Sequence, residues 1–234
     1  MSLMAEALRE QVCRANLDLV ARGLVMGTFG NVSGVDRDAG LFVIKASGVP
    51  YAELTAEHMV PISLETGKPL ETRFRPSSDT PTHHELYLAF PCGGVAHTHS
   101  EFATAFAQAS TPVKCMGTTH ADYFRGDIPV TRPMTLEEVE TEYERNTGLV
   151  IVETFDTLGL SDEEVPAALV ANHGPFTWGR DAFEAVDRAD VLEFLARMEF
   201  RRRGIAPDAP EPAEYLIHKH FSRKHGRGAY YGQK

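Results

Sequence analysis

His97 and His99 stand two residues apart at the end of the apolar run Val95-Ala96-His97-Thr98-His99, which reads as a buried strand. Side chains alternate across a strand, so both imidazoles project to one face and can chelate a single cation. A third histidine, His173, follows the short strand-like Leu169-Val170 and precedes Gly174, where glycine allows a sharp turn that exposes the ring in a cleft. Three histidines with open coordination positions suit a catalytic, zinc-type site. The H-x-H pair alone is equally compatible with hydrogen-bonded imidazoles that bind no metal. Asp79 reads as a fourth ligand or a supporting carboxylate, or else as the cap of a helix entering at Pro81. His83 and His84 fall within that helix and are expected to pack on neighbours or face solvent.

Three further segments are rich in small residues whose amides and hydroxyls can approach an anion: Gly30-Asn31-Val32-Ser33, Lys45-Ala46-Ser47-Gly48 and Ser77-Ser78-Asp79. Ser77 and Ser78 precede a helix start, where free N–H groups and the positive dipole end favour phosphate. Each segment taken singly also reads as ordinary turn chemistry. There is no G-x-x-x-x-G-K-[ST] and no G-x-G-x-x-G after a strand, so nucleotide binding has no support.

The elements that must position these groups follow from periodicity and turn residues. Leu8, Val12, Ala15 and Leu19 predict an opening amphipathic helix stopped at Gly23. Asn31–Val35 and Leu41–Ile44 predict a hairpin, and Glu65-Thr66-Gly67-Lys68 a second one. Thr80-Pro81 starts a helix reaching Phe90, its hydroxyl available to cap free amides. Phe102–Gln108 predicts another helix, Thr135-Leu136-Glu137-Glu138 a capping box, and Asp181 the start of a long helix ending at Gly204. The Pro-rich stretch Ala206–Pro212 leads to a last helix, and the tail Gly226–Lys234 shows no periodicity. Locally paired strands with helices before and after them favour a mixed or mainly antiparallel sheet covered by helices.

Composition limits the function classes. Thirty-three acidic against twenty-three basic residues, a net charge of −10, disfavour general attraction to nucleic acid or to an anionic membrane, so a phosphate site must be local. No apolar run approaches the roughly 20 residues of a membrane span, and a cytoplasmic protein is expected. Cys13, Cys92 and Cys115 are odd in number and widely spaced, which suits structural thiols in a reducing compartment. Met1, Ser2 and Leu3 precede Met4 and read as a cloning remnant, so one domain is expected over residues 4–234.

In combination the segments resemble the class II aldolase and epimerase superfamily, whose members carry G-N-[VIL]-S, a Lys-Pro-Ser-Gly-like loop, S-S-[DE], H-x-H and a distant third histidine in this order. Gly117-Thr118-Thr119-His120-Ala121-Asp122-Tyr123-Phe124, His173-Gly174-Pro175-Phe176 and Tyr230-Tyr231-Gly232-Gln233 bring the resemblance close to the bacterial L-ribulose-5-phosphate 4-epimerases, over nearly the whole chain. The resemblance implies an α/β, three-layer α/β/α fold with a mixed, mainly antiparallel central sheet flanked by helices. It implies a divalent ion, Zn2+ first among the candidates, held by His97, His99 and His173 with Asp79 at or near it. Gly30, Asn31, Ser47, Gly48, Ser77 and Ser78 would bind the phosphate of a phosphorylated ketopentose. Asp122 and Tyr231 would be the acid/base pair and, with Thr118 and His220, would reach the site from a neighbouring subunit of a homotetramer. Glu144 is a further match. Ala46 replaces the loop proline of the family, and Asn172 before His173 also departs from it. The competing expectation is an aldolase of the fuculose- or rhamnulose-phosphate type, in which a glutamate stands where this chain has Asp79. A non-catalytic, adducin-like module is the reading from a different class, against which the three histidines argue.

Overall fold

A computed structural model describes residues 3–225 and 229–231; Met1, Ser2 and the stretches 226–228 and 232–234 lie outside the described residues. Most of the expected tail, with Gly232 and Gln233 of its motif, is among them. The chain opens with helix α1 (Leu3–Ala21), which already includes Leu3, and its Val12, Ala15 and Leu19 are fully buried at helical spacing. β1 (Asn31–Asp36) and β2 (Leu41–Lys45) form the expected hairpin, and β3 (Met59–Ser63) pairs with β2. Next come α2 (Thr80–Ala89), β4 (Gly94–His97), α3 (Glu101–Gln108), α4 (Thr118–Ala121) and α5 (Leu136–Glu140). The order ends with α6 (Tyr143–Leu158), β5 (Ala167–Leu169), β6 (Pro175–Gly179), α7 (Ala182–Ile205) and α8 (Glu214–His225). Among the described residues, no helix is long and apolar enough to cross a membrane.

The six strands form one sheet in the order β3-β2-β1-β4-β6-β5. All five strand pairings among the described residues are antiparallel, in keeping with the mainly antiparallel sheet that was expected, and the one parallel element is an isolated bridge, Val130 to Leu169. Both faces are covered, which suits the apolar run Leu41–Ile44 of β2. On one face Phe42, Ile44, Val60, Ile62, Val95, Phe176 and Trp178 pack against Leu86 and Tyr87 of α2 and Ile151 and Phe155 of α6. On the other, Val32, Val43, Met59 and Ala96 meet α1 and the small residues Ala182, Ala185 and Ala189 of α7. Each large side chain so buried contributes about 1.5–3 kcal/mol, which makes these two interfaces the main source of stability.

Several local expectations change. Thr80 does not cap α2: its hydroxyl donates to the Ser77 carbonyl at 2.6 Å, because Thr80 is itself the first helical residue. The Glu65–Lys68 turn closes β3 onto a single bridge, Ile62 to Pro69, rather than onto a second strand. β4 ends at His97, two residues short of the expected strand, and β5 ends at Leu169. α7 passes through Gly204 to Ile205. The capping box at Thr135 and Glu138 and the Asp181 cap of α7 form as expected.

Candidate active site

Antiparallel register sets up the site. Asn31 lies opposite His97, and His97 lies opposite Phe176, so three side chains stand in a row at one end of the sheet. The Phe176 ring stacks on His97 with centroids 4.1 Å apart and planes 14° from parallel. His97 is buried and its Nδ1 faces the Pro175 carbonyl at 3.0 Å, which selects the tautomer whose Nε2 lone pair points outward. That Nε2 is 3.1 Å from Nε2 of His99, which lies just past the strand but on the same side, as strand alternation required.

His173 arrives from the β5–β6 turn. Asn172, not Gly174, takes the left-handed conformation there, with φ 62°, so the substitution noted in the sequence suits the backbone it occupies. Gly174 is needed for a different reason, since a Cβ on it would fall 2.9 Å from the Thr98 carbonyl oxygen. One ligand atom from each of His97, His99 and His173 lies within 4.8 Å of the others. Burial, reinforced by the neighbouring imidazoles, pushes His173 down to about 3 and lowers His99 as well. His99 and His173 are therefore favoured in the neutral form that binds a cation, and the cluster opens to solvent on the side of exposed His99. This donor set fits a divalent ion.

Asp79 sits in the same cleft, outside the three-histidine cluster. It is the residue before α2 but makes no capping bond; its carboxylate instead accepts from Asn31 Nδ2 at 2.6 Å. Burial raises its pKa, but nearby His97 and His83 and the Asn31 bond outweigh that and leave it lowered, so it is a carboxylate. His83, expected merely to pack, is fully buried behind this pair, with Nδ1 2.7 Å from the Ser33 hydroxyl and a pKa pushed by burial to about 3. His84 contacts the Leu64 carbonyl at 2.7 Å.

The cleft has a volume of about 430 Å³ and is lined by Gly30, Asn31, Ser47, Gly48, Ser77, Ser78 and Asp79 together with the three histidines. An antiparallel bridge between Ala46 and Pro76 holds the two serine segments side by side. The N–H groups of Ser47 and Ser77 are not free: they donate to the Arg75 and Lys45 carbonyls at 2.9 Å. Beside its hydroxyls, this wall offers an anion one cation that sequence reasoning did not single out. Lys45 is 3% exposed, its Nζ donates to the Ala46 carbonyl at 3.3 Å, and burial lowers its pKa. Thr28, Phe29, Tyr143 and Glu144 also line the cleft, and of these only Glu144 was expected. A buried strand-end lysine carries no periodic signal, so only packing reveals its role.

Asp122, Thr118, His220 and Tyr231 do not line this cleft. They gather elsewhere on the chain, where α4 meets α8. Asp122 pairs with Arg223 at 2.7 Å and approaches His220 Nδ1 at 3.1 Å, and the Arg223 guanidinium lies 4.4 Å over the Tyr231 ring. Burial raises the Asp122 carboxyl, but Arg223 and His220 more than offset this and keep it ionised. Arg223 was missed, although its position three residues after His220 on one helix face was a usable signal.

The profile of the class II aldolase and adducin N-terminal domain family matches residues 10–200 of this chain. The chain is 52% identical over 230 residues to L-ribulose-5-phosphate 4-epimerase UlaF of Salmonella paratyphi A, covering 98% of this chain and 100% of that protein; UlaF of Salmonella typhi shows the same values. Among solved structures it resembles an L-fuculose 1-phosphate aldolase, with TM-score 0.74 and 22% identity over 90% of this chain and 92% of that one. YgbL of Klebsiella pneumoniae, described as a putative aldolase/epimerase/decarboxylase, has TM-score 0.71 and 25% identity over 92% of this chain and 98% of its own. These likenesses support the fold.

Proposed function

The chain belongs to the class II aldolase and adducin family, and on that premise we propose that it is a metal-dependent L-ribulose-5-phosphate 4-epimerase, interconverting that sugar and D-xylulose 5-phosphate. The observation that carries the reading is the convergence of three imidazoles at the end of a cleft walled by serines and a buried lysine. Such a cleft suits a molecule with oxygens at one end and a phosphate at the other.

The C4 proton of a 2-ketopentose phosphate is beta to the carbonyl and not acidic, so inversion requires breaking and remaking C3–C4. His97, His99 and His173 would hold the ion, and Asn31 keeps the Asp79 carboxylate in place in the same cleft. When bound, the ion supplies Lewis-acid stabilisation of the negative charge developed by cleavage, and Zn2+ suits imidazole ligands well. Gly30, Asn31, Ser47, Gly48, Ser77, Ser78 and Lys45 retain the two-carbon phosphate fragment while it turns its other face. Breaking and remaking the bond requires an acid/base group near the C4 oxygen in each of its two orientations. Asp122 and Tyr231 fill that role from a neighbouring subunit of a homotetramer, with Thr118 and His220 beside them. Residues 4–234 act as one catalytic domain in a cytoplasmic enzyme.

The test is to strip the protein with chelator, restore single divalent ions, and incubate it with L-ribulose 5-phosphate. D-xylulose 5-phosphate is the expected product. Free aldehyde in its place would indicate an aldolase of the fuculose or rhamnulose type, and absence of both ion binding and turnover would indicate an adducin-like module.

A further inference from the structure

The cleft is polar almost throughout, and Phe29 is the one large, wholly apolar side chain among its described lining residues. It is 59% exposed, yet its ring is held 5.6 Å from that of His99. The backbone leaves it little freedom. The Phe29 N–H donates to Met26 at 3.1 Å, and Tyr51 donates to the next carbonyl, Gly30, at 2.8 Å. A Cβ at Gly30 would fall 2.8 Å from the His97 carbonyl oxygen, so the segment lies directly against the strand end that carries the first histidine. Phe29 thus stands at the lip beside the imidazoles, while the serine wall and Lys45 line the phosphate side.

We propose that Phe29 is a specificity-determining residue that keeps bulk water away from the three-carbon fragment and so commits the cleaved intermediate to recombination. The inference rests on the epimerase reading. Cleavage moves the C4 hydroxyl proton to a base and leaves the C3–C4 electron pair on C3, giving an enediolate and glycolaldehyde phosphate. Two fates then compete. Attack of C3 on the opposite face of the aldehyde, with return of the proton to the new C4 oxygen, gives the epimer. Protonation of C3 by water, with the base proton neutralising the resulting hydroxide, gives dihydroxyacetone and free glycolaldehyde phosphate, the outcome of an aldolase. An exposed apolar ring gains by covering an uncharged part of the substrate, and such cover excludes the water that the second fate requires.

The experiment compares the wild-type enzyme with Phe29→Ala and Phe29→Leu, all loaded with one divalent ion, on L-ribulose 5-phosphate in D2O. It reads D-xylulose 5-phosphate against deuterated dihydroxyacetone, and separately the ions bound per chain. We expect Phe29→Ala to raise fragment release per epimerisation roughly tenfold, Phe29→Leu to lie between, and ion content to be unchanged. Equal partition in wild type and Phe29→Ala, with epimerisation intact, overturns the proposal and leaves the function standing. Loss of the ion in Phe29→Ala also overturns it, since Phe29 would then be a support for His99. A wild-type enzyme that releases fragments without epimerising removes the function and the proposal together.

Discussion

Nε2 of His97 faces Nε2 of His99 at 3.1 Å, with the other nitrogen of His97 already occupied by the Pro175 carbonyl. Two imidazole lone pairs at that distance repel unless a proton or a cation lies between them. A cation bound by both, and by His173, removes the repulsion and ties the end of β4 to the β5–β6 turn.

Replacing His97, His99 or His173 by alanine is therefore expected to lower divalent-ion affinity by about 100-fold or more. Ion binding should also raise the melting temperature of the wild type, since a ligand at 100 times its Kd adds about 2.7 kcal/mol. Titration calorimetry and thermal unfolding with and without chelator check both. An alanine variant that binds as tightly as wild type removes that histidine from the site.

Stability should fall in mild acid. Burial depresses His83 to about 3 and His120 to about 4, from an ordinary value of 6.5. Below pH 6.5 the unfolded chain binds protons at these rings that the folded chain refuses, so stability is complete above 6.5 and is lost as pH falls towards 4. Each such ring costs about 1.4 kcal/mol per pH unit in that window. Urea unfolding of chelated protein at pH 7.5 and pH 5 measures this, and equal midpoints would contradict the buried neutral state.

Asp122→Asn and His97→Ala should each abolish most epimerisation, the first while keeping its ion. If Asp122 serves a neighbouring cleft, mixing the two inactive variants under conditions of subunit exchange should restore activity, because some clefts then combine an intact triad with an intact carboxylate. Continued inactivity of a confirmed mixed assembly argues against shared sites.

Lys45 is buried with no carboxylate paired to it among the described residues. Lys45→Met should therefore raise the melting temperature, by removing a desolvated charge. It should also raise the KM for the sugar phosphate by about tenfold or more, the loss of one charge-assisted hydrogen bond. Inorganic phosphate should inhibit the variant correspondingly less. A variant with unchanged KM would place the phosphate elsewhere.

Much of this was legible from residue types and spacing. Period-2 alternation put His97 and His99 on one face even though the strand stops short of His99, because an extended chain keeps that alternation past its last ladder bond. The α2 start at Thr80-Pro81 and the β1–β2 turn were local signals, and local backbone preferences were enough to place them. Three-dimensional packing decided the rest. Only sheet register sets Asn31 opposite His97, and that contact, not helix capping, determines what Asp79 does. Only folding buries Lys45 and His83 and brings Phe29 against His99, because desolvation and cross-strand neighbours depend on residues far away in the chain. The chain order of the histidines and serines specifies which groups are available to react; their distances, charge states and free faces exist only once the sheet and its two helical layers have closed around them.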